Sequence, residues 1–285
     1  MFEKTELHAN LLERLRMSEN TNSETKFLEM TPKQFRKIVR RNEYVGPTIR
    51  VCRGSAQANL AAVPKEMAFE FLLFCNRNPR PCPVMDVTEP GDPHPRVMAP
   101  DADLRTDIPR YRVYENGKCI AEPMDVLEYW RDDLVGFLLG CSYGFDWSLQ
   151  AANIEYRLIG AYTTKIECVP CGRLHGPMVV SSRVFKNSHD AIRATQISSR
   201  FPLSHGGPIH VGDPGLIGIE SFQNPDVAAI ERPMKSIGPK DVILHHGCGI
   251  TPQAIAMRAN IPFMITHYPA NMFVTDKRSE ELSVL

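Results

Sequence analysis

The sequence predicts an α/β fold: a mixed sheet carrying parallel strand-helix-strand units, in an internally duplicated, two-lobed architecture. Three observations predict it. Segments with strand character alternate with helical patterns along most of the chain. Between Val242 and Thr266 a strand, a helix and a second strand follow one another closely, which for strands of one sheet implies a parallel pair with a right-handed crossover. The fifteen residues from Gly140, GCSYGFDWSLQAANI, also align without a gap on the fifteen from Gly247, GCGITPQAIAMRANI, at Gly, Cys, Ala, Asn and Ile.

Residues 1–30 are polar and read as an N-terminal extension, followed by one catalytic domain over 31–285 with repeat units near 134–165 and 241–276. Thr31-Pro32-Lys33-Gln34 is a capping box with Pro at the first helical position, and Phe35, Ile38 and Val39 mark one helical face. Pro64 opens a second, largely buried helix through Met67, Phe71, Leu72 and Phe74, which ends before Asn78-Pro79. Residues 79–109 hold eight prolines and five aspartates without periodicity, a length of loop that is usually functional or disordered. Arg110–Tyr114, Asn116-Gly117 and Cys119–Ala121 read as a β-hairpin. Beyond it come a helix from Asp125, an apolar run Leu134–Leu139, a strand Met178–Phe185, a helix from Asn187 to Arg200, a strand Val242–His246, a helix from Thr251 to Asn260 and a strand Phe263–Thr266.

Composition excludes several classes. Basic and acidic residues balance at 33 each and the isoelectric point is near 7.1, so no overall field draws in nucleic acid or an acidic membrane. No apolar run reaches the roughly 18 residues of a membrane span and no signal-peptide pattern opens the chain, so a cytoplasmic protein is expected. Its eight cysteines read as reduced thiols. Cys168-Val-Pro-Cys171 has no second pair at zinc-finger spacing, so no metal site is expected. With no GxGxxG or P-loop pattern, no nucleotide cofactor is expected either.

Chemistry points to Cys141 and Cys248. Each follows a glycine at a strand end and precedes a helix, where backbone N–H groups and the helix dipole are expected to lower a thiol pKa and to receive a carboxylate or developing oxyanion. Cys248 has the clearer helix start, with Thr251 as cap, Pro252 and Gln253. His175, His205 and His210 sit in glycine-rich turns, with Asp213 close to His210, and a histidine there can act as general acid or base. His245 and His246 alternate across a strand and cannot form a simple chelate. Arg105 and Arg110, with Arg112, can clamp a carboxylate or pair with nearby acids. Gln57 and Asn59 are candidate orienting amides or turn caps. The resulting candidates are Cys248, His175 and Cys141 for catalysis, and Arg105, Arg110, Gln57, Asn59, His210, Asp213, Thr251 and Gln253 for substrate binding.

Several strings carry a family resemblance: QANL at 57–60, FLLFCNRNPRPCPVMDVTEPGDP at 71–93, DLRTDIPRYRVY at 103–114, RLHGP at 173–177, HVGDP at 210–214 and CGITPQA at 248–254. Together they resemble the bacterial hydro-lyase family related to a region of mitochondrial D-glutamate cyclase. The resemblance implies a lyase and, by relation, cyclisation of D-glutamate to 5-oxo-D-proline with loss of water. It supplies no catalytic residues. The expectation is a cofactor-independent enzyme taking a small carboxylate, free or as a homo-oligomer. The alternatives are a two-cysteine racemase or epimerase and a non-catalytic binder of small acids.

Overall fold

The computed structural model describes residues 26–228 and 237–284; most of the expected extension therefore lies outside the described residues. Two antiparallel sheets form the framework. The first contains β1 (Ser55–Pro64), β2 (Val84–Val87), β3 (Tyr111–Glu115), β4 (Lys118–Ala121), β5 (Leu134–Gly140), β11 (Phe263–His267) and β12 (Phe273–Arg278). Their order is β2-β5-β1-β11-β3-β4, and β12 shares with β11 the flank of β1 opposite β5. The second contains β6 (Tyr156–Glu167), β7 (Pro177–Phe185), β8 (His210–Val211), β9 (Val227–Ala228) and β10 (Val242–Gly247), in the order β8-β10-β7-β6-β9.

Among the helices, α1 (Pro32–Arg40) starts at the expected capping box, where Thr31 Oγ1 accepts from Gln34 N and Gln34 Oε1 accepts from Thr31 N. Pro64 ends β1 and leads straight into α2 (Lys65–Arg77). A 3-10 turn (Ser142–Phe145) runs into the short α3 (Asp146–Ala151), while α4 (Ser188–Ser199) is capped by Asn187 as expected. The last helix is α5 (Thr251–Arg258). The largest apolar cluster joins Ala61, Val63, Phe137 and Met264 of the first sheet to Tyr162, Val180 and Ile243 of the second, with α2 and α5 packed into it. A second cluster covers the other face of the first sheet, and a third packs α3 and α4 on the second sheet.

Four expectations change. The strands β10 and β11 do not form a parallel pair: both flanks of β10 are already occupied, by β7 and β8, so α5 carries the chain into the other sheet, where β11 inserts between β1 and β3. The units are thus antiparallel crossings between sheets, and no repeat of a common strand-helix-strand unit within one sheet is present among the described residues. The segment from Asp125 makes a single turn at Val126–Trp130 instead of a helix, because β5 already begins at Leu134. Residues 79–109 are neither linker nor disordered. They contribute β2, and Met98, Ala99, Ala102, Leu104 and Ile108 cover the first sheet. Finally, Gln57 and Asn59 lie on β1, the fully buried strand at the heart of that sheet, and not in a turn.

Candidate active site

The chain crosses between the sheets twice, and each crossing opens with a Gly-Cys turn. β5 ends the first sheet at Gly140 and leads through Cys141 to β6; β10 ends the second sheet at Gly247 and returns through Cys248 to β11. Glycine is required by close approach. A Cβ on Gly140 would lie 1.6 Å from the Leu203 carbonyl oxygen, and one on Gly247 2.8 Å from that of Arg80. The two turns share their bonding. The Cys141 carbonyl accepts from Gly144 N at 3.0 Å and the Cys248 carbonyl from Thr251 N at 3.0 Å. The N–H of Tyr143 points to the Cys141 thiol and that of Ile250 to the Cys248 thiol.

Asn59 lies between the turns. Its Nδ2 donates to the Gly140 carbonyl at 2.8 Å, and the same atom would lie 2.1 Å from a Cβ on Gly249. Cys141 and Cys248 thus flank one side chain of the central strand, near enough for the charge of Cys248 to act on Cys141.

Contrary to the expected lowering, both thiols titrate high. Burial pushes Cys141 up to about 12, opposed by the Tyr143 N–H and reinforced by Cys248 and Asp146. Burial also raises Cys248 against the Ile250 N–H and the positive charge of Arg183. Desolvation by burial outweighs both the turn amides and the nearby charges. Iodoacetamide at pH 8 is therefore expected to label the exposed Cys119 first and to leave Cys141 unmodified in the folded protein. Peptide mapping by mass spectrometry checks the order, and equal labelling of the two would contradict it.

The strongest charge beside the thiols is Arg183 on β7, fully buried. Its guanidinium donates to Ser142 Oγ at 3.1 Å, to Ser181 Oγ at 3.1 Å and to Asp146 at 3.4 Å, and stacks on Phe145 and Tyr156. Burial alone would favour loss of its proton, but Asp146 and Tyr156 outweigh that, so the group stays charged. A shallow cleft lined by Arg50, Tyr143, Asp146, Trp147 and Tyr156 borders this cluster. His205 and His246, both buried, complete it. Desolvation is the main cause that keeps each neutral, and Arg183 adds to it.

The other expected residues divide. Thr251 does not cap α5: its hydroxyl accepts from Val179 N at 3.0 Å and so pins the Cys248 turn to β7. Gln253 reaches His267 Nδ1 at 3.1 Å, where Leu60 N also donates. Gln57 is spent on Thr48. His175 is exposed on the β6–β7 hairpin, whose Gly176 packs near Arg258 at the far end of α5. Arg105 pairs with Asp103 at 2.8 Å, and Arg110 with Glu122 at 2.9 Å while stacking on Tyr268. His210 and Asp213 bond within their own turn, His210 Nε2 to the Asp213 carbonyl and Gly215 N to the Asp213 carboxylate. Of the expected set, then, Cys141, Cys248 and Asn59 come from the same neighbourhood, and Thr251 pins the Cys248 turn to β7.

Arg183, Asp146 and Ser142 escaped the sequence reading. The available signal was a lone charge in the apolar run Met178–Phe185, since an arginine is almost never fully buried unless paired. No group of three His, Cys, Asp or Glu side chains among the described residues is arranged to hold a metal ion, and no described helix is long and apolar enough to cross a membrane.

Known proteins share this arrangement of sequence. A protein of Geobacillus kaustophilus named "Putative hydro-lyase" is 50% identical over 262 residues, covering 90% of this chain and 98% of its own. Similarly named proteins of Bacillus subtilis and Stutzerimonas stutzeri are 48% and 45% identical, covering 90% and 92% of this chain and 100% and 99% of their own. The D-glutamate cyclase family profile matches residues 135–276, a span that contains both Gly-Cys turns. The chain therefore belongs to the family of these bacterial proteins named "Putative hydro-lyase", and its C-terminal half carries the match to the D-glutamate cyclase profile.

Proposed function

We propose that the protein dehydrates a small amino or hydroxy acid at the paired Gly-Cys turns, and that D-glutamate, cyclised to 5-oxo-D-proline, is its substrate. The observation that carries this reading is the convergence of two thiols, both held in the protonated form by burial, beside the fixed positive charge of Arg183. Free carboxylate is a poor electrophile, so charge neutralisation and orientation must supply most of the acceleration. In the cyclisation the amino nitrogen attacks the distal carboxyl carbon. A C–N bond forms, a C–O bond breaks, and the two protons lost by the ammonium group leave with the departing oxygen as water. A thiol suits the transfer, giving its proton to that oxygen and taking one back from the nitrogen, while Arg183 and the turn N–H groups offset negative charge.

Incubation of the purified protein with D- and L-amino acids and hydroxy acids, followed by proton NMR, tests the reading. D-glutamate is expected to yield 5-oxoproline, and Cys248→Ser to slow turnover about 100-fold or more, the usual scale for losing a positioned acid or base. No water loss from D-glutamate overturns the cyclase assignment, and wild-type kinetics in both Cys248→Ser and Cys141→Ser overturn the role of the thiols. The matched bonding of the two turns favours one second reading, a racemase with a cysteine on each face of the substrate. Exchange of the α-proton in D2O without loss of water would select it.

A further inference from the structure

On one flank of β1, Ser55, Gln57 and Ala58 pair with β12, and Ala61 and Ala62 with β11. Asn59 and Leu60 fall where one partner strand gives way to the other. There the Leu60 N–H donates to a side chain, the Nδ1 of His267 at the end of β11, at 3.2 Å. The same nitrogen lies 3.1 Å from Gln253 Nε2, in the first turn of α5. A backbone amide can only donate, so an N–H aimed at Nδ1 leaves no room for a proton there. The Leu60 carbonyl, 3.5 Å from Nδ1, is beyond ordinary hydrogen-bond range. The neutral imidazole therefore carries its proton on Nε2, and Gln253 donates to Nδ1 through its amide nitrogen. Burial is the main cause that keeps the ring neutral, and the charge of Arg112 adds to it.

This bridge bears on the Cys248 turn. Two ties hold the start of α5, one to each sheet. Thr251 Oγ1 accepts from Val179 N of β7 in the second sheet. Gln253 reaches Leu60 of β1 in the first sheet through His267. The residue before Leu60 is Asn59, whose amide donates to the Gly140 carbonyl and abuts Gly249. The tie to the first sheet thus flanks the place where the two Gly-Cys turns approach each other. Asn59, Leu60, Gln253 and His267 are all buried, so bulk water cannot readily replace a lost bond.

We infer that His267 is a positioning residue: it holds the Cys248 turn against Asn59 and so fixes the spacing of the two Gly-Cys turns. The holding is independent of the function proposed above; its effect on turnover rests on that function. Iodoacetamide labelling of the folded full-length protein at pH 8, read by peptide mapping, tests the first. Cys248 is partly exposed, whereas Cys75 and Cys82 lie in the core. His267→Leu, which removes the acceptor, is expected to label Cys248 about fivefold faster than wild type, the scale of one lost hydrogen bond, with Cys75 and Cys82 still unlabelled. Gln253→Leu, which cuts the other end of the tie, should do the same. His267→Asn, whose Oδ1 can stand in for Nδ1 as acceptor, should stay within about twofold of wild type. A wild-type rate at Cys248 in Gln253→Leu, equal rates in His267→Leu and His267→Asn, or labelling of Cys75 and Cys82 in step with Cys248 in both leucine variants overturns the positioning role. So does an NMR spectrum that places the His267 proton on Nδ1. In the D-glutamate assay His267→Leu is expected to lower kcat about tenfold or more, the cost of a small misplacement, and His267→Asn to keep it within about threefold. The expected labelling with kcat unchanged overturns the effect on turnover. The expected labelling in a wild type that turns over no acid defeats the proposed function and leaves the positioning role standing.

Discussion

Lowering the pH from 7 to 4 is expected to unfold the protein in a cooperative transition, with four buried histidines as the cause. Burial is the main cause that holds His205, His245 and His267 down to about 4 and His246 well below its ordinary value. In the unfolded chain an imidazole titrates near 6.5. The unfolded state therefore binds protons first, so stability that is fully present above pH 6.5 falls as the pH drops toward 4. For His205, His245 and His267 a depression to about 4 is worth ~3 kcal/mol each. Several such groups together match the whole stability of a typical domain, about 5–15 kcal/mol. Urea unfolding followed by circular dichroism at a series of pH values measures the slope, and replacing His267 by Gln should make it shallower. A stability unchanged between pH 7 and pH 4.5 would show that these rings are not held neutral by burial.

The second large effect distinguishes the glycines of the two turns. In Gly140→Ala the new methyl meets a backbone carbonyl at 1.6 Å, which no rotamer can relieve. Loss of about 4 kcal/mol or more, or failure to fold, is expected. In Gly249→Ala the methyl meets the Asn59 amide instead, a side chain that can swing away only by releasing the Gly140 carbonyl. That variant should fold with a lowered Tm and little activity. Adding Asn59→Ala should recover part of the lost Tm, with a coupling energy of about 0.5–3 kcal/mol, the range for residues in contact. Strict additivity would mean that Asn59 does not bridge the turns. Gly212→Ala serves as the control: its Cβ position has nothing within 4 Å, so only the strain of a φ of +95° remains.

What the sequence revealed were the features written in adjacent residues. Thr31-Pro32, Pro64, Asn187 and Asn78-Pro79 bounded helices because caps and proline act locally, and Asn116-Gly117 adopts the positive φ angles of a tight hairpin. The central strand β1 escaped because Ser-Ala-Gln-Ala-Asn-Leu-Ala-Ala has no β-branched residue and is rich in alanine, although its polar and apolar residues alternate as far as Leu60. Alanine suits it there because other strands flank both edges and clusters cover both faces, where larger side chains would not fit. The direction of the thiol shifts escaped for a different reason. Glycine turns and helix starts are visible in sequence, but the burial that outweighs them depends on the approach of Arg80, Leu203 and Asn59 from remote segments. For the same reason the sequence left Arg105 and Arg110 open between a substrate clamp and ion pairs with nearby acids, and in the structure Asp103 and Glu122 hold them.

The strand order has a consequence for how the protein is made. β1 leaves the ribosome before every other described strand, but one of its flanks is filled by β11 and β12, the last two described strands. Until residues 263–278 emerge, Ser55–Ala62 has an open edge on that side, and strand edges of this kind invite pairing with other chains. Everything through Arg278 must be translated before the first sheet can close. Premature termination before Phe263 should therefore yield aggregates, and a holding chaperone acting during synthesis should raise the yield of folded protein more than one added afterwards.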